Sequence, residues 1–130
     1  MGESPRRYPF RHRQRLHGSR AFAAVFDAQM RKNLGVIALC GRCNGLDYNR
    51  LGLSVPRRVG GAVVRVRIKR RLREAFRLGQ HDVPAGYDLV VVVRPHETLT
   101  VTEYQALLAD GIVRLHELAQ KRAGKQDSPA

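Results

Sequence analysis

The sequence predicts a single α+β domain, a sandwich of a small mixed β-sheet with helices in the order helix, strand, strand, helix, strand, helix. Three observations carry this. At 130 residues the chain suits one domain and is too short for two. An unbroken run, Leu89-Val90-Val91-Val92-Val93, asks for a strand buried on both faces. Three longer stretches repeat apolar residues at helical spacing, each able to cover part of a sheet.

Residues 1 to 14 are polar, basic and interrupted by Pro5 and Pro9, and read as a flexible segment. Ser19 is placed to cap a first helix in which Phe22, Val25, Phe26 and Met30 share a face, ending at the polar break Arg31 to Asn33. Val36 to Cys40 and Leu51 to Val55 read as neighbouring strands across a loop of Gly, Asn and Asp. Asp88 to Arg94 is the central strand, closed by Pro95. Thr100 and Glu103 form a capping box before a last helix with Tyr104, Leu107, Leu108, Ile112, Leu115 and Leu118 on its packing stripe. Gly111 interrupts that stripe and implies a bend or a close approach. From Gln120 the chain turns polar and is expected to fray, which bounds the folded domain at 15 to 119.

The most informative stretch lies between Arg57 and Arg77, where nine basic residues and one acid occupy twenty-one positions. At 100° per residue Val64, Ile68, Leu72, Ala75, Phe76 and Leu78 share one side. Lys69, Arg70, Arg73 and Arg77 take the opposite pole, with Arg65 and Arg67 nearer the borders. Two residues break the pattern: Arg71 falls in the apolar arc and has to snorkel outward, and Val66 sits among the cations. Like charges at i, i+4 destabilise a helix by ~0.2 to 0.5 kcal/mol a pair, so this clustering serves binding rather than stability.

Composition names the class of partner. Lys and Arg number 24 against 11 Asp and Glu, a formal charge of +13. All but four of the cations are Arg, whose planar fork pairs with phosphate and stacks on bases. A nucleic acid is therefore favoured over a membrane. No apolar run approaches the ~20 residues of a bilayer span, and no signal-peptide core follows the basic start, which places the chain in the cytoplasm. The carboxylates Asp27, Asp47, Asp82, Asp88 and Asp110 are scattered, Glu74 sits among cations as a salt-bridge partner, and no catalytic constellation or protein-held metal site is assembled. Cys40 and Cys43 form a lone Cys-x-x-Cys without a second pair or suitably spaced His, and read as ordinary strand-end thiols. Gly60-Gly61 is a turn whose amides could help cradle a phosphate. The helical spacing of Phe22 and Phe26 suits either a core pair or a stacking floor for single-stranded bases.

The stretch Leu51-Gly-Leu-Ser-Val-Pro-Arg-Arg-Val-Gly-Gly-Ala-Val-Val-Arg-Val-Arg-Ile-Lys-Arg-Arg-Leu-Arg-Glu-Ala-Phe-Arg77, with Arg15-Leu16, the Phe22 to Phe26 pair and the strand at 88 to 94, resembles the bacterial ribonuclease P protein subunit. The resemblance covers roughly residues 10 to 118. It implies a basic cofactor of a ribozyme whose RNA subunit cleaves precursor tRNA. The protein would improve substrate and magnesium binding, the metal being held mainly by the RNA. It assigns Arg65, Arg67, Lys69, Arg70 and Arg73, with Arg57 and Arg58 beside them, to the catalytic RNA. It assigns Arg15, Phe22 and Phe26 to the single-stranded 5′ leader of the precursor, and implies a left-handed crossover between the strands at 51 to 55 and 88 to 94. No obligate protein partner is implied. Position 66 departs from the family, which usually has Asn there, and the first strand lacks an extra aromatic often found in the leader cleft. The competing functions are a non-enzymatic ribosomal RNA-binding protein and a duplex DNA binder. The latter is disfavoured because the apolar stripe commits the basic helix to a sheet.

Overall fold

The computed structural model describes residues 12–127, with side chains described through Gly124. After a 3-10 turn at His12–Gln14 come α1 (Ser19–Asp27), β1 (Met30–Asn33), β2 (Ile37–Cys43) and β3 (Arg50–Ser54). A second 3-10 turn at Arg57–Val59 leads into α2 (Ala62–Gly79), β4 (Tyr87–Val93) and α3 (Val101–Asp127). The four strands form one mixed sheet in the order β1-β2-β4-β3. β1 and β2 are antiparallel, as are β2 and β4, whereas β3 runs parallel to β4 with α2 as the crossover.

The α+β class and the capping box stand. Thr100 Oγ1 accepts from the Glu103 amide at 3.1 Å while Glu103 Oε1 accepts from the Thr100 hydroxyl at 3.0 Å. Four expectations are corrected. The strands expected to be neighbours, β2 and β3, are separated by β4, whose side chains from Leu89 to Val93 are apolar toward both faces and so fill an interior position. The polar break after α1 is itself a strand. Met30 is buried, and the Leu34-Gly35-Val36 turn, with Gly35 at φ +85°, folds Arg31 to Asn33 back onto β2 as an edge rich in charge. Ser19 does not cap α1: Gly18 holds the cap position and no side chain bonds there. α3 continues through Gln120 to Asp127, because these residues are mostly good helix formers and Arg122 anchors them. Its guanidinium donates to the carbonyls of Ala28 and Gln29, both at 2.7 Å.

The flexible segment expected at 1 to 14 lies outside the described residues up to position 11. Residues 12 to 14 are folded, with Gln14 buried. Likewise, of the tail expected at 120 to 130, residues 128 to 130 lie outside the described residues.

The alternation of the strands divides the core. Ile37, Leu39, Leu89, Val91 and Val93 face α2 and α3, meeting Ile68, Leu72, Phe76, Tyr104, Leu108, Ile112 and Leu115. Cys40 and Val90 point to the other side, under Val25 of α1 and Leu16. Gly111 allows the close approach its position suggests, since a Cβ there would lie 2.7 Å from Leu34 and 2.9 Å from Leu39. Register is pinned at the far end by Asp88, buried and paired across the β3–β4 ladder with Arg50 through two 2.7 Å bonds. Arg71 escapes the apolar arc by donating to the Leu99 carbonyl at 2.8 Å, which ties α2 to the start of α3.

Candidate nucleic-acid interface

Arg15 extends the sheet beyond β3 by a parallel bridge to Leu51, and the Leu16 amide donates to the Leu51 carbonyl at 2.9 Å. This edge, α1 and α2 surround a groove of about 250 Å³ lined by Arg15, Leu16, His17, Phe22, Leu51, Gly52, Leu53, Lys69 and Arg73. Phe22 is half-buried and its ring lies directly over Gly52, where a Cβ would fall 2.6 Å from the ring. The strand glycine therefore sets how deeply the aromatic floor sits. A glycine inside a strand is a sequence signal for such an approach, and Leu51-Gly52-Leu53 could have been read that way.

Across this groove Arg15 faces Arg73. Burial first, and the Arg15 charge second, hold the Arg73 guanidinium below its ordinary pKa. A phosphate between the two guanidiniums relieves their repulsion. Aromatic floor, flanking cations and an open top are the parts from which single-stranded nucleic acid sites are built.

The remaining sequence-predicted residues divide by position. Arg57 and Arg58 are exposed on the 3-10 turn, and Arg67 and Arg70 are exposed on the outer face of α2. Arg65 is half-buried, with Nε bonded to the Gly60 carbonyl at 3.1 Å, so it also braces the turn entering the helix. Lys69 and Arg73, grouped by sequence with that outer face, turn toward the groove and join Arg15 and Phe22. Phe26, one turn beyond Phe22, does not line the groove. It is 43 % exposed and so is not a core residue. Val66 is 44 % exposed and Val63 72 %, forming a shallow apolar patch beside Arg67, Arg70 and Arg71.

Glu74 is held by Arg77 on the same helix, and the hydrogen bonds from that guanidinium lower its carboxyl pKa. Cys40 is buried, which raises its thiol pKa, while Cys43 is exposed. Among the described residues no three His, Cys, Asp or Glu side chains gather as metal ligands. Among the described residues, no helix is long and apolar enough to cross a membrane.

Fold and surface together define a small α+β protein with a strongly basic helix and an aromatic-floored groove. A sequence model of the family described as Ribonuclease P matches residues 10–116. The ribonuclease P protein component of Desulfovibrio desulfuricans is 33 % identical over 122 residues, covering 92 % of this chain and 93 % of that one. That of Thermotoga maritima is 39 % identical over 85 residues, covering 65 % and 73 %. Among solved structures the RNase P protein of Thermotoga maritima superposes with a TM-score of 0.70 at 31 % identity, over 77 % of this chain and 96 % of that one. The Staphylococcus aureus RNase P protein gives 0.65 at 25 % identity, over 79 % and 94 %. The chain belongs to the ribonuclease P protein family. It is thereby the protein component of an endoribonuclease ribonucleoprotein of tRNA 5′ processing, partnered with the ribonuclease P RNA. Nothing in the comparisons favours the ribosomal alternative.

Proposed function

We propose that the groove floored by Phe22 takes the single-stranded 5′ leader of precursor tRNA while the outer face of α2 docks on the catalytic RNA. The single observation that carries this is the convergence of Arg15, Phe22, Lys69 and Arg73, from three separate elements, on one groove. A leader base stacks on Phe22, and its phosphates lie between Arg15 and Arg73. Phe26 offers a second aromatic surface at the rim. Arg57, Arg58, Arg67 and Arg70, on the turn and outer face of α2, hold phosphates of the catalytic RNA, with Arg65 at the border. Lys69 and Arg73 stand between the two RNAs, which suits them to fix one relative to the other.

In this reading the bond is cleaved by the RNA subunit, which also holds the magnesium, and the protein acts through affinity and placement. It works in the cytoplasm. The test is cleavage of a 5′-labelled precursor tRNA at low magnesium by the catalytic RNA of the same cell, with and without the chain. Cleavage at the mature 5′ end rises with protein, the protein alone does nothing, and Phe22→Ala removes the benefit only for precursors that carry a leader. Tight RNA binding without any change in cleavage overturns the proposal.

A further inference from the structure

The leader groove does not stop at Arg73. Each of the elements that bound it on the β3 and α2 sides continues into a second hollow of about 470 Å³. The segment before Arg15 contributes Arg13 and Gln14, the approach to β3 contributes Asp47, Tyr48 and Asn49, and α2 contributes Phe76 and Gln80 with His81 just beyond. From Arg73 to Gln80 the axis of α2 advances about 10 Å at 1.5 Å per residue. That is on the order of three stacked nucleotides at ~3.4 Å each.

We propose that this hollow is a second subsite for single-stranded RNA, in which an upstream leader base stacks on the Arg13–Tyr48 pair. The inference rests on the leader reading above and lengthens its footprint. Arg13 Cζ lies over the Tyr48 ring, 4.5 Å from its centroid, so the cation covers one face of the phenol and the two form a stacked pair beside the hollow on which a base can continue the stack. Its volume falls within the ~300 to 1,000 Å³ of ordinary ligand sites.

The Tyr48 loop is braced rather than free. Asn44 Nδ2 donates to the Tyr48 carbonyl at 3.2 Å and to buried Asp88 at 3.0 Å, and the Asn44 amide donates to the Gly86 carbonyl at 2.9 Å. Next in chain, buried Asn49 donates to the Pro84 carbonyl at 2.9 Å and accepts from the Tyr87 amide at 2.9 Å. With its backbone held this way and Arg13 over one face, the Tyr48 ring has less freedom to lose on stacking, which is the condition for a surface side chain to contribute affinity.

The same bonds set the selectivity. Gln14 Nε2 donates to Gln80 Oε1 at 3.0 Å, Gln80 Nε2 donates to the Arg77 carbonyl at 3.0 Å, and both ends of the Asn49 amide are engaged. With the Gln80 and Asn49 oxygens and one N–H of each of the three amides engaged, fewer groups are left to read base edges, and stacking, which accepts any base, carries recognition. Asp47 is a rim carboxylate that opposes phosphate, and it is outnumbered by Arg13, Arg15 and Arg73 along the track.

The experiment uses the assembled ribonucleoprotein and precursor tRNAs whose leaders increase one nucleotide at a time, comparing the wild-type chain with Tyr48→Ala, Tyr48→Phe and Phe22→Ala. The expected result is a second gain in affinity once the leader passes the Phe22 groove. Tyr48→Ala abolishes that gain with a loss of about 5-fold or more and leaves short leaders unaffected, Tyr48→Phe retains it, and the gain is alike for all four bases. A 4-thiouridine at the upstream position crosslinks to the peptide carrying Arg13 or Tyr48. Equal losses at every leader length, or no loss at any, overturn the subsite. If Phe22→Ala is silent at short leaders while crosslinking to Tyr48 persists, the groove reading fails and the subsite stands.

Discussion

Placing a methyl group at position 52 tests the groove without removing any of its binding groups. A Cβ on Gly52 would lie 2.6 and 2.7 Å from two atoms of the Phe22 ring, about 1 Å inside the ~3.5 to 4.0 Å at which carbons rest. Phe22 is half-buried, so its ring can swing outward at about 0.5 to 1.5 kcal/mol for an off-rotamer side chain. Removing a glycine from a strand returns about 0.5 to 1 kcal/mol, and Gly52→Ala should therefore leave global stability within about 1 kcal/mol. Binding should suffer more. A stacked base is worth ~1 to 3 kcal/mol, and a displaced ring forfeits part of that, so affinity for a leader-bearing precursor should fall about 5- to 10-fold. The decisive assay is a double-mutant cycle with Phe22→Ala, read by precursor affinity with and without leader and by urea denaturation. Once the ring is gone the nearest recorded neighbour of the new methyl is Leu16 Cβ at 3.3 Å, so Gly52→Ala should cost less than about 2-fold in that background. Independent, multiplicative losses from the two changes would refute the reasoning.

Gly111→Ala sets helix propensity, a gain of ~1 kcal/mol, against overpacking of Leu34 and fully buried Leu39, a cost of ~1 to 3 kcal/mol. The prediction is a net destabilisation of up to about 2 kcal/mol in urea, and a clear stabilisation would show that α3 can retreat from β2. Arg122→Ala removes two exposed charge-assisted bonds at the end of α1, so about 1 kcal/mol of stability should be lost. The faster amide exchange should concentrate at residues 25 to 30, and uniform exchange would contradict an anchoring role. Val66→Asn exchanges an exposed methyl pair for an amide at nearly equal helix propensity, so stability should hold. RNA affinity should rise or the magnesium requirement fall, and unchanged values of both would sink the assignment of position 66 to the RNA face.

Much of this protein is written in periodicity. The five-residue run at 89 to 93 determined an interior strand, and the 3.6-residue stripe of Ile68, Leu72 and Phe76 determined that the basic helix would be half core and half binding surface. The Thr100 and Glu103 spacing determined where α3 begins. These are local patterns, each set by burial or by a backbone group that needs a partner. The strand at Met30 to Asn33 was illegible because three of its four residues are polar and Met30 continues the helical spacing of Phe22 and Phe26, and it exists through pairing with β2 and burial of Met30 against the core. The order β1-β2-β4-β3 was equally hidden, since which strand inserts between two others depends on the crossover carried by α2.

For the site, the sequence alone determined the chemistry: cations on one helix face and two phenylalanines one turn apart. Only the tertiary structure decided which of them act together. It turned Lys69 and Arg73 away from the outer arginines and toward Arg15, set Phe22 on Gly52 while leaving Phe26 outside, and placed Arg13 on Tyr48, thirty-five positions away in the chain. Helical spacing fixes the angle of a side chain about its own axis. The neighbour it meets is fixed by how that axis packs on the sheet, and that is settled by contacts distant in sequence.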